Sequence, residues 1–138
     1  MRSLIRLTLG LILLAGARVS ASEAEEQAAV SAAEAWLKLV DAGQAGASWD
    51  AAASSFKAAV DKPGWEKALR AARGPLGKLL SRKLASRQVT QTLPGAPDGT
   101  YLVLTYGSQF EHKKSAVETV TAMLDTDGRW RVSGYFIR

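Results

Sequence analysis

The sequence predicts an α+β domain in which N-terminal helices pack on a curved four-stranded antiparallel sheet. Three observations carry that expectation. The composition shifts near residue 77, from an Ala-rich half with helical periodicity to a half rich in Thr, Val, Leu and Tyr. The strand signals of the second half follow one another with short connections, as in an antiparallel meander. The 138 residues leave room for one domain.

The chain opens "MRSLIRLTLGLILLAGARVSASEAEEQ". Arg2 and Arg6 form a basic start, Leu7 to Ala15 is an uncharged apolar run, and Val19-Ser20-Ala21 offers small residues to a signal peptidase. This is the pattern of a secretory signal, expected at 1–21 with cleavage after Ala21 and Ala17 as the competing site. The run is short for a permanent anchor. The expected location is the bacterial periplasm or the exterior, with 22–138 as the single mature domain.

Helices follow in order. The first is predicted over Glu23–Asp41, because Ser22 and Glu25 have the spacing of a capping box. Val30, Ala33, Leu37 and Val40 share one face there, with Trp36 beside them, and Gly43 supplies a stop. A second helix is expected to be capped by Ser48 and to carry Trp49, Ala52, Phe56 and Ala59 on one face. Pro63 suits the first turn of a third helix holding Trp65 and Leu69 and ending before Gly74-Pro75.

Strands then read within Leu79–Leu93, with poor alternation and a bend, and over Tyr101–Phe110, Ala116–Leu124 and Trp130–Ile137. "PGAPDG" at 94–99 is a turn-rich loop. It lies between strands, so it lacks the following helix that a phosphate loop requires.

Register can be argued from faces, since a slip of one residue exchanges them. A three-residue loop, Thr126-Asp127-Gly128, puts Leu124 opposite Trp130, Ala122 opposite Val132 and Glu118 opposite Phe136. A five-residue loop, Glu111 to Ser115, puts Ser108 opposite Glu118 and Tyr106 opposite Val120. The inward face is then Leu102, Leu104, Tyr106, Phe110, Val120, Ala122, Leu124, Trp130, Val132 and Phe136, with Tyr135 turned outward. Ser108 and Glu118 interrupt that face side by side. A carboxylate there must be paired, hydrogen-bonded or protonated, and desolvation would suit it to acid–base work. Equally, it can reach water near a strand end, or bond to Ser108, Tyr106 or a nearby Arg in a structural network.

Composition excludes several chemistries. Cysteine is absent, so there is no disulfide, thiolate metal site or thiol nucleophile. His112 is the sole histidine, and it falls in a charged turn. No cofactor and no metal is expected. The 18 Lys and Arg against 13 Asp and Glu suggest a basic protein, but removing Arg2, Arg6 and Arg18 with the signal leaves 15 against 13, a balance of +2. Nucleic acid is therefore not an expected partner. The segment 62–87 stays rich in Lys and Arg, with Arg82, Lys83 and Arg87 as its candidate basic surface.

Four stretches, "AEAWLKLVDAGQAGASWDAAASSFK", "ALRAARGPLGKLLSRKL", "LPGAPDGTYLVLTYGSQF" and "AVETVTAMLDTDGRWRVSGYFIR", resemble in the same order the bacterial family known as domain of unknown function 4019. The resemblance spans about Ala33 to Arg138. The order of helices and strands is also similar to the cone-shaped nuclear-transport-factor-2-like (cystatin-like) superfamily. That likeness implies a pocket between helix and curved sheet. Enzymes of the superfamily commonly use an Asp–His pair or a Tyr with a carboxylic acid, for which Tyr106 with Glu118 is the nearest parallel here. Fold likeness alone does not establish function.

The expectation is an exported binding module without catalysis, taking a small apolar ligand or an envelope protein. Tyr106, Ser108, Glu118, Trp130, Phe136 and Trp36 are its candidate pocket residues. One rival is an enzyme using Glu118 and Tyr106. The other is a docking protein that uses the basic 62–87 segment.

Overall fold

The computed structural model describes residues 21–138, so the expected leader, apart from Ala21, lies outside the described residues. Helix α1 spans Glu23–Asp41 and begins in the predicted capping box. The Glu25 amide donates to Ser22 Oγ at 3.2 Å, and the Ser22 amide donates to Glu25 Oε2 at 3.3 Å. Its buried face is Ala29, Val30, Ala33, Trp36, Leu37 and Val40, a stripe with the periodicity of a core-facing helix. Gly43, at φ +73°, turns the chain away after the helix ends.

The helix expected from Ser48 is instead two short ones, α2 (Ala45–Asp50) and α3 (Ser54–Ala59). The sheet edge divides them, because the Ala53 amide donates to the Val132 carbonyl at 2.8 Å. Ser48 is no cap but a buried hub inside α2. Its Oγ donates to the Ala45 carbonyl and accepts from Trp65 Nε1, while its carbonyl accepts from Trp36 Nε1. One serine thus satisfies two buried indoles that would otherwise lack partners. Helix α4 (Lys62–Arg73) is capped by Asp61, with Pro63 in its first turn, and a single 3-10 turn follows over Gly74–Leu76.

Four strands, β1 (Leu79–Thr90), β2 (Tyr101–Phe110), β3 (Lys113–Leu124) and β4 (Trp130–Ile137), form one antiparallel sheet in sequence order. Helix α1 packs over β2, β3 and β4. Leu102, Leu104, Val120, Ala122 and Val132 meet it in a single main core. Each large aliphatic side chain there contributes about 1.5–3 kcal/mol by burial. A smaller cluster of Ala53, Tyr101 and Met123 lies apart from it. No helix of the described residues is long and apolar enough to cross a membrane.

Two register expectations are corrected. The β2–β3 turn is tighter than five residues, since β3 starts at Lys113 and Phe110 pairs with Lys113. Ser108 therefore pairs with Ala116 and Tyr106 with Glu118. The slip is an even number of residues, so the strand faces are kept, although Leu124, expected in the core, is 37% exposed at the strand end. In the last hairpin the loop closes as expected, with Gly128 at φ +81° and Leu124 opposite Trp130. An irregularity then intervenes, because Ala122 pairs with Val132 but Thr121 pairs with Gly134. The extra residue, Ser133, is a β-bulge that reverses the faces beyond it. Tyr135 consequently points inward opposite Val120, and Phe136 points outward at 62% exposure.

Candidate functional site

Glu118 occupies the middle of the sheet and is fully buried. The carboxylate is saturated with donors. Arg82 Nε reaches Oε1 at 2.8 Å and Arg82 Nη2 reaches Oε2 at 3.1 Å, a bidentate fork. Ser108 Oγ donates to Oε1 at 2.6 Å, and the Tyr135 hydroxyl donates to Oε2. Arg73 Nη1 stands 3.9 Å from Oε2.

The network continues to the helices. Arg82 Nη1 and Nη2 donate to the two Asp41 oxygens at 2.7 and 2.9 Å, and Arg73 Nη2 donates to Asp41 Oδ1 at 3.0 Å. Asp41 ends α1 and Arg73 ends α4. A carboxylate at a helix C-terminus faces the negative end of the dipole, which is locally unfavourable. Here two guanidinium groups offset it. Two carboxylates and two guanidinium groups give a neutral set that ties both helix ends to β1 and β3. The Arg73 guanidinium also lies over the Phe110 ring at 4.6 Å, an attractive cation–π geometry.

The titration directions agree with this closure. Burial would lower the Arg82 pKa, but its hydrogen bonds to Asp41 and Glu118 outweigh that and raise it. Burial, reinforced by the Glu118 charge, pushes the Tyr135 phenol upward. Tyr106 is pushed up to about 12, chiefly by burial. Its hydroxyl is buried without a hydrogen-bond partner among the described residues.

The predicted site residues are thus distributed as follows. Glu118 and Ser108 meet as expected, and Tyr106 lies next to them without bonding to either. Trp36 is core, with its ring 5.9 Å from Trp65 and 5.4 Å from Tyr135. Trp130 is half-buried beside Trp36 in a separate surface groove. Phe136 is on the other face of the sheet. Of the candidate basic surface, Arg82 is turned inward, Arg87 lies 3.7 Å from Glu26, and Lys83 alone is exposed without an ion pair among the described residues. Asp41, Arg73 and Tyr135 were not anticipated. A glycine within a strand marks bulges, so Gly134 was the available signal for Tyr135.

A cleft of about 460 Å³ opens beside this network, between the ends of α1 and α4 and the β2–β3 turn. Val40, Ala45 and Leu69 form its apolar floor, the charged residues Asp41, Arg70, Arg73, Lys78 and Glu111 line it as well, and Gly74 and Gly77 stand at its rim. Its size suits a small molecule.

No curated protein and no solved structure matches the chain. One family model does, over residues 32–135, and its description is protein of unknown function (DUF4019).

Proposed function

The chain belongs to the DUF4019 family, and we propose that it serves the bacterial cell envelope as a non-catalytic module binding a small, mainly apolar ligand in the cleft between α1 and α4. The observation that carries the reading is that Glu118 and its direct partners Arg82, Ser108 and Tyr135 are not among the residues lining the cleft. Glu118 is enclosed among Arg82, Ser108 and Tyr135, with no lone pair left for a substrate proton. Val40, Ala45 and Leu69, which are themselves buried, form the apolar floor of the neighbouring cleft, outside the shell of Glu118. A general base needs hydrogen-bond access to its substrate, whereas a cleft with an apolar floor and polar walls binds by shape and burial.

A neutral environment-sensitive dye such as N-phenylnaphthylamine tests the reading. A Cβ built on Gly74 meets nothing within 4 Å, so Gly74→Trp puts a large ring at the cleft rim without a clash at Cβ. Saturable dye binding that Gly74→Trp abolishes is the expected result. Absence of saturable binding, or binding indifferent to Gly74→Trp, would refute it.

A further inference from the structure

We infer that the outer face of the sheet carries a second site, a cationic depression built across β1, β2 and β3 that takes a phosphoryl group. It shares no lining residue with the cleft at the helix ends. Alternation along β1 sends Arg82 inward to Glu118 and leaves Ser81 and Lys83 on the outer face. Lys83 pairs with Gly107, which pairs in turn with Val117. Gly107 has no side chain, and a Cβ there would meet nothing within 4 Å. The middle strand is therefore bare at this point, and its neighbours form walls around open space.

A bulge completes the depression. Ser108 pairs with Ala116 and Phe110 with Lys113, so the single residue Gln109 faces two, Lys114 and Ser115. Bulges of this kind re-aim side chains. Lys114 and Ser115 are both exposed and line the same depression as Lys83, Gln109 and Ser81, with a volume of about 450 Å³. No carboxylate is among its lining residues. The ion pairs of the described residues use Lys62, Arg70, Arg73, Arg82, Arg87 and Arg131, and neither Lys83 nor Lys114 takes part in them.

The donor set indicates the ligand. An ammonium is a compact charge with three donors, suited to a tetrahedral oxyanion, whereas a guanidinium fork suits a planar carboxylate. The one guanidinium at this site, that of Arg82, is committed to Asp41 and Glu118. Two ammonium groups, the hydroxyls of Ser81 and Ser115 and the Gln109 amide remain, all able to donate to phosphoryl oxygens. The depression is open, so the rest of the ligand can extend into solvent. A lipid headgroup and a soluble phosphate share this chemistry.

The test titrates the protein with inorganic phosphate and, separately, with vesicles of phosphatidylglycerol against vesicles of neutral phosphatidylcholine. Lys83→Ala/Lys114→Ala is compared with Lys38→Ala/Lys67→Ala, which removes the same charge from exposed helical positions. Gly107→Val fills the floor without altering charge. Wild type should bind phosphate, phosphatidylglycerol vesicles or both. The Lys83/Lys114 pair and Gly107→Val should each weaken that binding at least about tenfold, as loss of charge-assisted contacts requires, while the control pair stays within about twofold. Binding of phosphate alone identifies a soluble ligand, and binding of vesicles alone identifies a lipid headgroup. Failure of wild type to bind either probe, or equal weakening in the control pair, overturns the inference.

Discussion

Two buried carboxylates, one within β3 and one in the turn that follows it, are held in different ways. Glu118 is fully buried, and its partners are side chains alone: Arg82 on β1, Ser108 on β2 and Tyr135 on β4, with Arg73 from the end of α4 at 3.9 Å. Asp125, at the β3–β4 turn, is 6% exposed and accepts largely from local and backbone donors. The Ser54 amide reaches it at 3.0 Å and the Ser54 hydroxyl at 2.6 Å, which fixes the start of α3, and the Thr126 amide donates at 2.9 Å. Arg131 donates to Asp125 and forms a fork with the exposed Asp127. The first centre is a neutral set whose members depend on one another, with the Glu118 carboxylate fully enclosed in it. The second is a cap that also holds a charge. Burial makes the first intolerant of losing one member, and hydrogen bonding to the ionised form makes the second sensitive to acid.

The largest expected effect separates the two centres by stability. Glu118→Ala leaves Arg82 with half its partners in a dry site, so urea denaturation should show a loss of about 3–5 kcal/mol. Asp125→Ala removes a cap that water can partly replace, and the same measurement should show about 1–2 kcal/mol. Equal losses would erase the distinction between the centres.

Acid sharpens the comparison. Hydrogen bonds from Ser54, first its hydroxyl and then its amide, hold the Asp125 carboxyl well below its ordinary value of 3.8. Its pKa is depressed in the fold, so the unfolded chain takes up the proton first as pH falls. The stabilisation is complete above the ordinary value and is lost progressively below it, as pH falls toward the folded value. Asp127, held at about 2 by Arg131, adds a shift of the same sign. Asp125→Asn should therefore flatten the stability profile below about pH 4; an unchanged acid limb would contradict the assignment.

The aromatic residues of β2 and β4 span the range from a clear loss to no effect. Tyr106→Phe removes a buried hydroxyl without a partner, so the melting temperature should stay level or rise. Phe136→Ser, on the outward face, should change stability by no more than about 0.5 kcal/mol. Tyr135→Phe removes a donor to the buried carboxylate and should cost about 1.5–3 kcal/mol by the same denaturation assay. A reversed order for Tyr135 and Phe136 would move the bulge elsewhere.

That reversal also shows where sequence reading stops. Periodicity and capping chemistry located α1, α4 and β2, because those signals are local. The inward position of Glu118 and Ser108 was legible because strand parity survives an even slip. Tyr135 was placed on the wrong face because one extra residue at Ser133 reverses parity, and only Gly134 hints at it. The split between α2 and α3 was not legible, since Ala53 is claimed by a sheet edge far along the chain. Asp41 and Arg73 read as ordinary helix-end residues, and only the packing of α1 and α4 beside β1 brings them to Arg82. Lys83 and Lys114 come together through strand pairing on either side of β2, which sequence distance conceals.

Glu118 and Arg82 form one coupled structural unit, and a double-mutant cycle measures that coupling. Arg82→Met, Glu118→Met and the double variant are compared by urea denaturation. Each single variant strands a charge, whereas the double variant removes both and leaves Asp41 paired with Arg73. The double variant should be more stable than the Glu118→Met protein, with a coupling of at least about 2 kcal/mol. Losses that simply add would contradict it.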